Sequence, residues 1–85
     1  MFKQYQRVEL VKDMMSDRTL GKPVQLHEGQ RGIIVEIYKQ PGLPIGYDVE
    51  FFDIQGETVA LMTMTRDMIR PVQGSPLSSS GRSKA

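Results

Sequence analysis

The chain contains no cysteine, so neither a disulfide nor a thiolate metal site can reinforce its core. With 85 residues it forms one small domain, which buries only about 60% of the surface of its unfolded chain. Packing alone must hold that domain together. Histidine is almost as scarce. His27 stands alone, which excludes a His–His metal pair and any relay through a second imidazole. Long apolar runs are missing too: none approaches the ~18 residues of a membrane helix, and the opening "MFKQYQRVEL" lacks the apolar segment of a secretion signal. These absences predict a cytoplasmic protein without membrane contact.

Nor is there an excess of charge, the formal net charge being +1. All ten acids but only nine of the eleven bases fall in residues 1–72, leaving Arg82 and Lys84 beyond them. The part able to fold is therefore slightly acidic and lacks the basic balance with which nucleic-acid binders neutralise phosphate. From Gln73 the chain runs "QGSPLSSSGRSKA", where Leu77 is the one large apolar residue. Such a stretch cannot bury enough surface to offset its ordering entropy. The expected division is a folded domain over 1–72 and a disordered tail over 73–85.

What the first 72 residues do contain is Val, Ile, Tyr and Phe in short runs separated by turn residues, the pattern of successive strands. "YQRVELVK" (5–12) alternates, with Val8 and Leu10 on one side. A long connection over 13–28 holds Gly21 and Pro23. "GIIVEIYK" (32–39) is the most β-branched segment, "QPGLPIG" (40–46) breaks it, and "YDVEFFD" (47–53) sets Tyr47, Val49 and Phe51 against Asp48, Glu50 and Phe52. In "IQG" (54–56), Gly56 offers the positive φ of a hairpin turn. "ETVALMTM" (57–64) is apolar on both faces, so period alone does not assign its inner side; Val59 and Leu61 are expected there ahead of Ala60 and Met62. Thr65 is placed to cap one 3₁₀ turn, and Pro71 limits "RPV" to an edge strand. Closing such a meander removes its free edges. The predicted fold is all-β: a five-stranded SH3-like barrel with a long loop after strand 1 and a 3₁₀ turn before the last strand, with an open four-stranded sheet as the alternative.

Gly29-x-x-Gly32 looks like a phosphate loop, but phosphate loops open helices, and here the β-branched "IIVEIY" follows. The glycines are read as a turn and a close backbone approach, leaving Arg31 exposed at the corner. His27 is read as a surface loop residue. Glu36, Asp48, Glu50, Asp53 and Glu57 fall mostly on the outward side, where Glu50 could pair with Lys39 or Arg31 across the hairpin. Met14 and Met15 are expected on the surface of the long loop, and Met62, Met64 and Met68 in the core. Tyr38 and Phe52 are expected to face outward, where an aromatic either covers a barrel end or marks a contact patch.

Three segments together, "GQRGIIVEIY", "YDVEFFDIQGETVALMTM" and "DMIRPV", resemble the bacterial family known as domain of unknown function 4926. Its pattern has a Gly-x-x-Gly-(Thr)-Ile-Val-Glu corner, a Tyr-x-Val-Glu-Phe strand, a Gly-Glu-Thr turn followed by Ala-Leu, and a final Leu-Arg-Pro. The likeness covers roughly residues 5–72 and departs at Ile33 and Ile69, where Thr and Leu are common. The resemblance implies an SH3-like barrel without an assigned activity. The glycine corner also looks like the KOW element of transcription and ribosomal proteins.

No nucleophile, metal constellation or cofactor loop points to an enzyme, and no cofactor is expected. The leading expectation is a non-enzymatic protein-binding module, the small partner or neutralising subunit of a larger protein, that contacts it through Tyr38, Phe52, Arg31, Met14 and Met15. The second is a KOW-like nucleic-acid binder using Arg31, Lys39 and the Arg82/Lys84 tail.

Overall fold

The computed structural model describes residues 2–17 and 21–72, so the tail expected over 73–85 lies outside the described residues. Seven strands follow in order: β1 (Arg7–Leu10), β2 (Met14–Met15), β3 (Gln25–Leu26), β4 (Arg31–Tyr38), β5 (Gly46–Phe52), β6 (Thr58–Met64) and β7 (Ile69–Pro71), with a 3₁₀ turn at Arg66–Met68 before β7. Five of them form an antiparallel sheet in the order β6-β5-β4-β1-β7, while β2 and β3 pair as a separate hairpin. The all-β class, the 3₁₀ turn and the edge position of Pro71 agree with the sequence. Among the described residues β6 and β7 do not pair with each other, so this is an open sheet where a closed barrel was expected. No helix among those residues is long and apolar enough to cross a membrane.

Cross-strand registry explains the core. Val8, Gly32, Phe51 and Ala60 lie opposite one another in turn across β1, β4, β5 and β6. Phe51 is thus flanked by the two smallest residues of the row, which leaves room for its ring. Leu10 with Ile69, and Ile34 with Val49, continue the same face, and Leu26 from the hairpin is fully buried with them. Each large apolar side chain enclosed here contributes about 1.5–3 kcal/mol. Buried Ser16 is satisfied, since its hydroxyl accepts from the Val24 amide at 2.8 Å and donates to the Asp17 carbonyl.

Several elements differ from expectation. The first strand spans four residues, because Tyr5 sits in a turn at φ +68, where its amide donates to the Ile34 carbonyl at 2.6 Å. Residues 13–28 are not wholly loop: their ends form the β2–β3 hairpin, and Met14 packs partly buried on the core while Met15 stays exposed. In β6 the inner residues are Ala60 and Met64, not Val59 and Leu61. A bulge causes this, since Phe52 opposes Thr58 but Phe51 opposes Ala60, and the extra residue reverses which side chains face inward. Thr65 makes no capping bond with its side chain; its hydroxyl donates to the Asp67 carboxylate instead, holding that carboxyl below the usual carboxylate range.

Candidate partner-binding site

The two tight turns at one end of the sheet are built by local chemistry. In residues 27–30 the Gln30 amide donates to the His27 carbonyl at 2.9 Å, the His27 amide donates to Gln30 Oε1, and Gly29 supplies φ +84. In residues 53–57 the Asp53 carboxylate accepts from the Gln55 and Glu57 amides, both at 2.9 Å, and Gly56 supplies φ +85. The side-chain amide of Gln30 then donates to the Phe52 carbonyl at 3.1 Å, tying one turn to the strand that leads into the other. Both turns are thereby fixed in relation to each other.

Between and beside them lie two adjoining depressions. One is lined by the residues of the first turn with Arg31, Phe52, Asp53 and Ile54, and the other by Arg7, Arg31, Gly32, Ile33, Phe52 and Gly56. Arg31 from β4 and half-buried Phe52 from β5 line both. The side chain of Ile54 at the hairpin tip is fully exposed, an apolar residue with nothing of this domain covering it.

Charge on the same side of the sheet is unevenly satisfied. Glu9 on β1 lies opposite Arg31 on β4 and Arg70 on β7. Arg70 takes it: its Nε donates to Glu9 Oε1 at 2.8 Å, and its Nη2 lies 3.6 Å from Glu28 Oε2. The hydrogen bond to Glu9 is the main reason that the Arg70 guanidinium holds its proton still more firmly than usual. Among the described residues Arg7 and Arg31 have no carboxylate within ion-pair distance. Two guanidinium groups without a carboxylate partner among the described residues, beside an aromatic ring, half-buried Ile33 and exposed Ile54, can hold a carboxylate next to an apolar side chain.

The other residues expected to bind a partner lie elsewhere. Tyr38 is exposed at the far end of β4, and its hydroxyl donates to Asp48 Oδ2 at 2.7 Å. Asp48 also accepts from the Thr63 hydroxyl at 2.5 Å and faces Glu36 across the strands. The bond to Asp48, with some desolvation and the two negative charges, pushes the Tyr38 phenol pKa upward. Tyr38 is thus engaged within its own domain. Exposed Met15 belongs to the β2–β3 hairpin and Met14 to the core margin. Glu50 takes a hydrogen bond from the Thr58 hydroxyl at 2.7 Å and pairs with neither Lys39 nor Arg31. His27 is exposed on its turn, as expected.

Arg7, Ile33 and Ile54 were not among the residues expected from sequence. Ile54 carried a usable signal, a large apolar residue in a turn between Asp53 and Gly56. Arg7 carried none, because its place beside Arg31 depends on which strands pair.

Comparison with known families gives one finding: Domain of unknown function (DUF4926) matches residues 4–71. No curated protein and no solved structure matches the chain.

Proposed function

We propose, for a chain that belongs to the family of the domain of unknown function DUF4926, a non-enzymatic protein-binding role as the small partner of a larger protein, a neutralising subunit being one form of it. The observation that carries this reading is the meeting of Arg31 and Phe52 on the wall shared by two depressions, with Ile54 exposed at their rim. A partner segment with a carboxylate beside an apolar side chain meets both needs of this surface: the carboxylate pairs with Arg31 and Arg7, and the apolar group covers Phe52 and Ile54. Aromatic and arginine side chains are the residues most often dominant in protein interfaces.

The SH3-like form of the fold belongs to the same proposal. Five strands laid flat would hold β6 and β7 about 19 Å apart, at ~4.8 Å per neighbour. Residues 65–68 alone join those strands, and they include a 3₁₀ turn, which rises only about 2.0 Å per residue. The sheet has to curl for so short a link to serve. A bacterial origin and a cytoplasmic setting complete the reading, the first resting on the family resemblance and the second on the lack of cysteine.

The test uses the full chain, tagged, in its native host. Wild type recovers a reproducible protein partner; F52S and R31E each lose at least tenfold of it, and Y38S retains it. Equal recovery by all four proteins would sink the reading. A second reading, nucleic-acid binding, is favoured by Arg7 and Arg31 lining one depression with Phe52, while Glu28 and Asp53 in the adjoining one oppose phosphate. It requires affinity for RNA or duplex DNA that falls steeply with salt, and a low-salt titration without binding disposes of it.

A further inference from the structure

Sheet edges expose unpaired N–H and C=O groups, and proteins commonly guard them with charge, proline or short length. The two edges of this sheet are treated differently. β7 has three residues, with Arg70 at its middle and Pro71 at its end. β6 has seven, "TVALMTM", without charge, proline or glycine, and among the described residues it pairs with β5 alone. Among the described residues the backbone donors and acceptors of its second edge have no strand partner. The half-buried side chains of Val59, Leu61 and Met62 lie along it.

We propose that β6 pairs with β6 of a second copy of this chain, antiparallel about a two-fold axis near Leu61 and Met62, joining two five-stranded sheets into one of ten. Self-complementarity is what selects a second copy as the occupant. A two-fold interface sets the same patch against itself, so any charged residue near the axis would meet its own kind, and like charges opposite one another on paired strands destabilise. β6 holds none. Its side-chain order also suits the operation, because antiparallel pairing about this axis sets even residues against even and odd against odd. Ala60, Met62 and Met64 of both copies then share the core face, while Leu61 and Thr63 of both share the outer face. Each Leu61 is covered by Leu61 or Thr63 of the other copy. No residue of β6 lines the depressions that hold Arg31 and Phe52, so the β6 pairing does not rest on the proposed partner site.

Sedimentation velocity on the full chain, over roughly tenfold steps in concentration through the micromolar range, reads the assembly directly. The expected wild-type mass is twice 9.6 kDa. L61K and T63K, which each place a guarding lysine on the edge, should shift the species to one copy while keeping a cooperative thermal transition. Because the chain has no cysteine, L61C introduces a unique thiol. A short thiol-to-thiol cross-linker should capture L61C as a dimer, and should leave I54C, exposed on the hairpin tip, monomeric. Wild type that stays monomeric throughout overturns the proposal. So does a dimer that survives both lysine variants, or one in which I54C cross-links as well as L61C.

Discussion

A Cβ placed on Gly32 would lie 2.7 Å from the Glu50 carbonyl oxygen, 2.8 Å from Val49 Cγ1 and 3.1 Å from the Phe51 ring. All three of those neighbours are backbone or a fully buried side chain, so nothing can give way cheaply. Gly29 is glycine for another reason: open space surrounds it, but its φ is +84. Asparagine tolerates the left-handed region while other side chains lose about 1–2 kcal/mol there. Overpacking costs about 1–3 kcal/mol whatever the residue. Hence G29N should fall within about 1 kcal/mol of wild type in urea denaturation and G29A below it, while G32A and G32N should both lose about 1–3 kcal/mol or more. If asparagine served equally well at both positions, the close-approach account of Gly32 would be wrong. The spacing Gly-x-x-Gly together with the β-branched run after it sufficed to identify this corner as architecture. Which glycine answers torsion and which answers space could not be read there, because the second depends on the strand that arrives opposite.

Among the strands, β5 was the clearest in the sequence, and Tyr47, Val49 and Phe51 are its buried set. β6 was misread at its inner side for a physical reason. Regular pairing from the 53–57 turn would have put Val59 and Leu61 inside, and the bulge between Phe51 and Phe52 shifts the parity by one; the unbroken apolar run from Val59 to Met62 carries no alternation to reveal such a shift. The β2–β3 hairpin escaped notice because two-residue strands carry no period. The turn itself rests on Asp53, whose carboxylate takes two backbone amides that the Gly56 conformation brings round. Replacing it frees both amides, which water can partly satisfy because the turn is at the surface. D53A should therefore lower stability by about 1–2 kcal/mol. D53N keeps a carbonyl oxygen at the same place and should recover most of that loss in the same denaturation measurement. An alanine variant as stable as wild type would show that the turn is held by Gly56 and the strands alone.

For the molecule as a whole, the last strand decides where the folding unit ends. Ile69 is buried against Leu10, Pro71 lies opposite Val8, and Arg70 bonds Glu9 across β1 and β7. A chain ending at residue 68 loses the burial of Ile69, worth about 1.5–3 kcal/mol, together with the pairing that covers one side of β1. A domain of about 70 residues holds only some 4–10 kcal/mol in total, so this is a large share of its stability. A chain ending at residue 72 keeps every one of those contacts, and the family match ends one residue earlier. Far-ultraviolet circular dichroism should accordingly show the 1–72 chain melting cooperatively at the temperature of the full chain, and the 1–68 chain melting at least 10 °C lower or without a transition. A 1–72 chain that melts well below the full chain would mean that residues 73–85 stabilise the domain, contrary to the boundary drawn from their Ser, Gly and Pro content. That boundary follows from composition, since a segment with one large apolar residue has little to bury. The proposed partner surface does not follow from composition, since Arg7, Arg31 and Phe52 line one depression only when three strands have paired.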